Sequence, residues 1–303
     1  MSKPVVWLRG AKGLNNRVDP LRLEFDPDTG LQDLAVAVNV DIDHTGRISR
    51  RRGWEATDIT DPCHSLFAHG TTALFVTGTN LCVLGTDFSY AAIRTVTAGA
   101  RMSYAVLNDR IFYGNGFETG YVRAGVSYAW SMPSSVPGVR SLKEYSDPPV
   151  GHLLAYYKGR MYVVQGDIVW YSESFGINLF NRARNYLAFD SHLRMFHPVR
   201  RGIWMGTHFE TYFLEGDTPK NFTLHRVATY PPIFGTDVDI DSSRVGRGEY
   251  KGIGVIWTSS EGICLGTSEG EFINLTERRL TYPNALEGTG IYNGFKYISV
   301  LEP

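Results

Sequence analysis

The feature that most constrains this chain is a repeat of short strands. An apolar run, a polar turn and a second apolar run recur from Leu66 to the C-terminus. Leu66-Phe-Ala-His69, Ala73-Leu-Phe-Val76 and Leu81-Cys-Val-Leu84 form the first unit, divided at Gly70-Thr-Thr72 and Gly78-Thr-Asn80. Tyr104-Ala-Val-Leu107 turns at Asn108-Asp109 into Arg110-Ile-Phe-Tyr113, and Leu154-Ala-Tyr-Tyr157 turns at Lys158-Gly159 into Met161-Tyr-Val-Val164. Ile203-Trp-Met205 with Thr211-Tyr-Phe-Leu214 and Val255-Ile-Trp257 with Gly262-Ile-Cys-Leu265 repeat the scheme, and Gly290 to Val300 ends it with a half-unit. Apolar residues alternate within these runs instead of recurring every three or four positions, so they specify strands.

The units start about 36 to 52 residues apart, near the 40 to 50 residues that a four-stranded propeller blade occupies. A single meander of this length cannot bury both faces, so successive sheets must stack on each other. The expected fold is therefore an all-β propeller of five or six antiparallel blades in one domain, residues 1–303. Residues 1–62 form an opening segment with a basic hairpin, and residues 63–303 carry the repeated units. Val5-Val-Trp-Leu8 and Tyr297-Ile-Ser-Val-Leu301 both read as strands and are expected to pair and close the ring. A two-sheet sandwich or two small barrels would use the same strand signals. Ser131 to Gly138, continuing to Asp147-Pro-Pro149, reads as a surface linker; Tyr230-Pro-Pro232 and Asp237 to Gly248 read as a long loop.

Composition narrows the function classes. Thirty basic and 31 acidic residues in 303 give a formal charge of -1, so no global field draws the chain to nucleic acid or an anionic membrane. No apolar run has the length of a membrane span, and Met1 to Arg9 lacks the core of a signal peptide, so synthesis and assembly in the cytoplasm are expected. Cys63, Cys82 and Cys264 are odd in number and have no C-x-x-C pair, which suits three buried thiols better than a disulfide frame or a zinc site.

Chemical motifs are sparse. Asp41-Ile-Asp43-His-Thr45-Gly46 opens like a calcium loop, but Arg52 stands where the closing bidentate acid belongs, so the stretch reads as a hairpin turned at Asp43 to Gly46. Eight histidines are present, Cys63-His64 with His69 being the tightest group. No H-E-x-x-H, G-x-S-x-G or G-K-[ST] motif accompanies them, so structural roles are expected. The pairs Asp26/Asp28 and Asp239/Asp241 lie in polar loops and are weak candidates for acid–base work. No catalytic, cofactor or metal residue is assigned, and the chain is read as non-enzymatic.

Arg47, Arg50, Arg51 and Arg52 are the densest positive charge in the chain. In a strand, Arg50 and Arg52 would share one face. They are assigned as contacts to another subunit or to a DNA channel, with protection of an edge strand as the plain alternative.

The opening segment resembles a known family. Lys12-Gly-Leu-Asn-Asn-Arg17-Val-Asp-Pro20, Gly30-Leu-Gln-Asp-Leu-Ala35, Asn39-Val-Asp41-Ile-Asp43, Gly46-Arg-Ile48 and Arg52-Gly-Trp54 resemble the start of tailed-bacteriophage virion proteins, and in particular tail hub and nozzle proteins of short-tailed phages. The resemblance covers roughly the first 70 residues; beyond it only the strand rhythm agrees. It implies a propeller body, a place in the virion tail after assembly in the host cytoplasm, and a homo-oligomeric ring, of six copies, around the DNA exit channel. The implied partners are its own copies, neighbouring tail or adaptor proteins and DNA in passage during ejection, with no membrane insertion and no cofactor. Two other classes stay open: a propeller glycosidase or tail depolymerase with acids at the propeller mouth, and an adhesin binding host glycans through surface aromatics such as Trp130, Trp170 and Trp204.

Overall fold

The computed structural model describes residues 10–53, 55–57, 59–137, 141–245 and 250–302. The chain is all-β and forms a propeller. Among the described residues, five four-stranded antiparallel sheets follow one another, each with its strands side by side in sequence order. Blades 1 to 5 span residues 63–95, 103–128, 153–188, 195–228 and 238–274. A sixth unit is a hairpin, Glu287–Tyr292 with Tyr297–Glu302. The first strands of the sheets, Cys63–His69, Ser103–Leu107, Leu153–Tyr157, Met195–Val199 and Val238–Asp241, lie innermost, with Glu287–Tyr292 beside the last of them.

Turn chemistry explains how each meander reverses. At Lys158-Gly159 both residues have positive φ, 45° and 82°, the pair of left-handed conformations that matches strand twist in a two-residue hairpin. The faces thus formed stack through apolar clusters. Leu74, Val76 and Leu81 of blade 1 meet Ile111, Tyr113 and Val122 of blade 2. Phe112 and Trp130 meet Leu154, Met161 and Val163 of blade 3. Tyr162 and Val164 meet Phe196, Ile203 and Met205 of blade 4, and Trp204 and Phe213 meet Val255, Trp257 and Cys264 of blade 5. Ile240, Ile256 and Leu265 pack under Tyr292 and Tyr297 of the hairpin. Among the described residues, no apolar cluster joins that hairpin to blade 1.

Residues 10–50 lie outside the blades as two small strand pairs. Ala11–Leu14 runs parallel to Gln32–Leu34, and Val40–Ile42 pairs antiparallel with Ile48–Arg50. Polar links fasten them to the region of blade 5 and the hairpin. Asn16 and Thr281 exchange two hydrogen bonds of 2.9 Å, Arg17 meets Glu261 at 2.6 Å, Arg279 pairs with Asp33, and Lys296 meets Asp41 at 2.9 Å.

The structure corrects two strand assignments. Blade 4 starts at Met195, one strand before Ile203, and blade 5 starts at Val238, inside the stretch read as a long loop. Both missed strands are innermost, and their axial faces carry His197 and Asp239, which break the apolar alternation. The expected pairing of Val5–Leu8 with the C-terminal strand falls outside the described residues; Tyr297–Glu302 pairs with Glu287–Tyr292. Residues 131–137 do connect blades 2 and 3, with the Met132 amide donating to Asp147 Oδ1 at 2.9 Å.

Candidate functional site at the axial mouth

The segments that lead into the innermost strands end on one face of the propeller, so the residues just before those strands meet at the axis. Arg101 enters from between blades 1 and 2. Its guanidinium donates to the carbonyl oxygens of Gly288 and, at 2.8 Å, Gly235, and to Thr289 Oγ1 at 3.3 Å, while lying 5.5 Å from the centre of the Phe234 ring. Burial lowers its pKa, and Asp237, Glu287 and Glu302 oppose that shift; an arginine stays charged under such conditions. Gly235 has φ +80°, and a Cβ there would overlap the guanidinium, so glycine serves both the backbone and the close approach.

His197, on the innermost strand of blade 4, lies between the carboxylates of Asp237, just before blade 5, and Asp239, on the innermost strand of blade 5. Its Nδ1 is 3.0 Å from Asp237 and its Nε2 is 2.8 Å from Asp239. A carboxylate only accepts, so satisfying both contacts requires the imidazolium. Burial would lower the His197 pKa, but the hydrogen bonds to Asp237 and Asp239 outweigh it and raise the value to about 10. The same imidazolium lowers the Asp239 pKa against the effect of burial.

Three further histidines form a row at this mouth. The ring centres of His152 and His192 are 4.5 Å apart, and those of His192 and His208 are 5.5 Å apart. His152 Nε2 lies 2.8 Å from the Leu193 carbonyl oxygen, so that nitrogen carries the proton and donates it. Burial lowers the His152 pKa, with the field of His192 adding to it. For His208, burial is followed by Arg194 and His192. Arg194 is half-buried and has no side-chain hydrogen bond or ion pair among the described residues.

The arginines assigned from sequence lie elsewhere. Asp43 Oδ1 accepts from the amides of Thr45 at 2.9 Å and Arg47 at 3.0 Å, which is a hairpin turn with its carboxylate committed to the backbone. Arg47, Arg50, Arg51 and Arg52 are all exposed on this hairpin and just after it. The second strand ends at Arg50, so the alternation expected to put Arg50 and Arg52 on one face stops there. The Arg51 amide donates to Asn39 at 2.9 Å.

Other expectations also change. Cys63 is exposed, whereas Cys82 and Cys264 are buried; all three are free. His64 contacts Ser65 Oγ at 2.8 Å through Nδ1, while His69 stands at the far end of the strand, so the three residues form no common site. Trp130 and Trp204 are core residues, 4% and 0% exposed, and so offer no surface to a glycan. Asp26 and Asp241 are spent on local turns through Thr29 and Ser243, which lower their pKa values, the opposite of what a general acid needs.

Apart from Asp239, sequence reading missed the axial set because its members are scattered over residues 101–288. One usable signal was an internal match, Gly114-Asn-Gly-Phe-Glu-Thr119 against Gly206-Thr-His-Phe-Glu-Thr211. In both, the side-chain oxygen of the second residue accepts from the amides of the Phe and Glu: Asn115 at 2.9 and 2.7 Å, Thr207 at 3.2 and 3.1 Å. Equivalent turns of blades 2 and 4 thereby present Phe117 and Phe209, and the second turn carries His208.

No protein-family model and no curated protein matches this chain. Among solved structures it is similar to streptogramin B lyase at 12% identity and a TM-score of 0.48, covering 84% of this chain and 80% of that one. It is also similar to BBS1N in complex with ARL6DN, at 11% and 0.48 over 86% and 83%, and to the WD40 β-propeller domain of Doa1, at 10% and 0.44 over 75% and 72%. The chain spans 28% of the extracellular domain of a hybrid two-component system from B. thetaiotaomicron, at 12% identity, a TM-score of 0.44 and 72% of its own length. At these identities the activities of those proteins stay with them.

Proposed function

We propose that this chain is a structural component of a bacteriophage tail, a propeller subunit of a homo-oligomeric hub or nozzle ring around the DNA exit channel. The observation that carries the reading is the opening segment. Its residues are the ones that resemble tail proteins, and it stands outside the blades instead of completing the core. Ion pairs and hydrogen bonds pin it to the body. It exposes Leu21 (94%), Val36 (73%) and Val38 (71%), and the arginines of its hairpin are exposed as well. A protruding element with apolar and arginine side chains is the composition that protein–protein interfaces favour at their contacts. A closed ring is the economical way for one such surface to find its partner on the next copy.

Sedimentation and negative-stain imaging of the purified chain test this reading, as do mixtures with a portal or adaptor ring. Rings, or discrete addition to such a ring, are expected. Replacing Arg50, Arg51 and Arg52 by Glu should abolish assembly while leaving the circular dichroism spectrum of the body unchanged. A chain that stays monomeric alone and with tail components, or one that assembles equally well after the replacement, would reject the proposed interface.

A further inference from the structure

We infer that the axial mouth is an anion site that takes a phosphoryl or sulfate-like oxyanion between Arg194 and the histidine row. This inference does not depend on the tail reading. Its starting point is an unresolved charge: the half-buried Arg194 guanidinium has no side-chain hydrogen bond or ion pair among the described residues. Its one named opposing field comes from Glu287, which is not within ion-pair distance. A partly desolvated guanidinium without an acceptor is costly, and a planar fork of donors is matched by the oxygens of an oxyanion.

The surroundings add donors of the same sign. His208 feels both Arg194 and His192, and His192 stacks against His152. The His152 Nε2 proton is committed to the Leu193 carbonyl oxygen. Burial and cationic neighbours hinder His152 and His208 from charging, and a bound dianion would oppose that penalty at both.

Three acidic groups near this mouth have partners of their own. Asp237 and Asp239 hold His197. Glu287 and Glu302 lie in the field of Arg101 and Asp190 in that of Tyr212, with no side-chain hydrogen bond or ion pair of their own among the described residues. Glu210 pairs with Arg226 at 2.9 Å and accepts from Tyr212. Oxyanion oxygens that outnumber a carboxylate's two suit a site that offers a guanidinium and a row of imidazoles.

Calorimetric titration of the full chain at constant ionic strength tests the site, with sodium sulfate and inorganic phosphate as probes. Sulfate keeps its charge across the range, so its pH dependence reports the histidines. One sulfate per chain should bind at least about tenfold tighter near pH 5.5 than near pH 8. Arg194→Gln should weaken binding by about tenfold or more at both values. The double variant His192→Asn/His208→Asn should flatten the pH dependence yet leave the alkaline binding in place. Arg200→Gln, in the turn at the opposite end of the blade 4 innermost strand, should bind as the parent does. Phosphate should compete with sulfate for the same site. Absence of saturable binding by a folded chain, parent-like binding by Arg194→Gln, or equal loss in Arg200→Gln would each overturn the inference.

Discussion

The Arg101 guanidinium donates to the Gly235 carbonyl oxygen at 2.8 Å, joining the segment between blades 1 and 2 to the entry of blade 5 across the axis. With its second bond, to Gly288, this one side chain also holds the C-terminal hairpin. Apolar stacking runs from blade 1 through blade 5 to that hairpin, but no described cluster links the hairpin back to blade 1. Arg101 therefore supplies a polar link across a step that no apolar cluster of the described residues spans. Arg101→Met should lose hydrogen bonds of a buried charge to carbonyls and leave those acceptors unpaired, at a cost of about 2–4 kcal/mol. Urea denaturation checks the size. Hydrogen exchange checks the place: amides of Glu287–Tyr292 and Tyr297–Glu302 should lose protection before those of blades 2 to 4.

The second expectation concerns pH. His197 has a folded pKa of about 10, above the ordinary value of 6.5. A group whose folded pKa is raised stabilises fully below the unfolded pKa, and that contribution is lost as pH rises. The contribution from the His197 pair should thus be complete below about pH 6.5 and fade between there and about pH 10. The Asp239 side chain is 73% exposed, so screening reduces its share, and the whole effect should be about 1–3 kcal/mol. Stability against urea, measured from pH 6 to 10 in parent and His197→Gln, checks this. The parent should lose stability over that range, and the difference between the two proteins should shrink as pH rises. A constant difference would exclude titration of His197 as the cause.

How much of this was legible in the sequence follows from where side chains point. Strands in the middle of each sheet are covered on both faces, so Phe112, Val163 and Met205 stand in continuous apolar runs that any pattern search detects. The innermost strands of blades 4 and 5 border the axis, and their ion-paired His197 and Asp239 break the apolar pattern, so the pattern assigns no strand to the first and a loop to the second. Trp130 and Trp204 read equally well as surface or core, since composition does not reveal which face a neighbouring sheet covers. The axial set was illegible for a different reason. Arg101, His152, His192, Arg194 and His208 come from connections before three different blades and from one turn, and only ring closure makes them neighbours.

Thiol reactivity gives a third test. Cys63 is exposed, whereas burial raises the Cys82 thiol pKa, with the field of Cys63 adding to it, and raises the Cys264 thiol to about 12. The thiolate is the reactive species, so burial and a raised pKa act in the same direction. A disulfide reagent at neutral pH should modify one thiol of the native chain rapidly and all three only after unfolding. Cys63→Ser should remove the rapid phase. Rapid modification of two or more thiols in the folded protein would contradict the packing of blades 1 and 5.

The last expectation concerns the contact between blades 4 and 5. Trp204 is fully buried, donates from Nε1 to the Thr267 carbonyl oxygen at 3.1 Å and lies 4.7 Å from the Phe213 ring and 5.7 Å from the Trp257 ring, centre to centre. Gly266 on the facing sheet lies against its indole so closely that a Cβ would overlap the ring. Two opposite errors can therefore be introduced at one place. Trp204→Ala opens a cavity and removes the indole hydrogen bond, for a loss of about 3–5 kcal/mol. Gly266→Val forces the sheets apart, for a loss of about 1–3 kcal/mol or more. Combining them should recover part of the sum, because the valine methyls enter space vacated by the indole, and coupled neighbours deviate from additivity by about 0.5–3 kcal/mol. Thermal and urea unfolding of the two single variants and the double variant measure that coupling. Strict additivity would mean that Gly266 and Trp204 do not share the contact through which blade 5 is seated on blade 4.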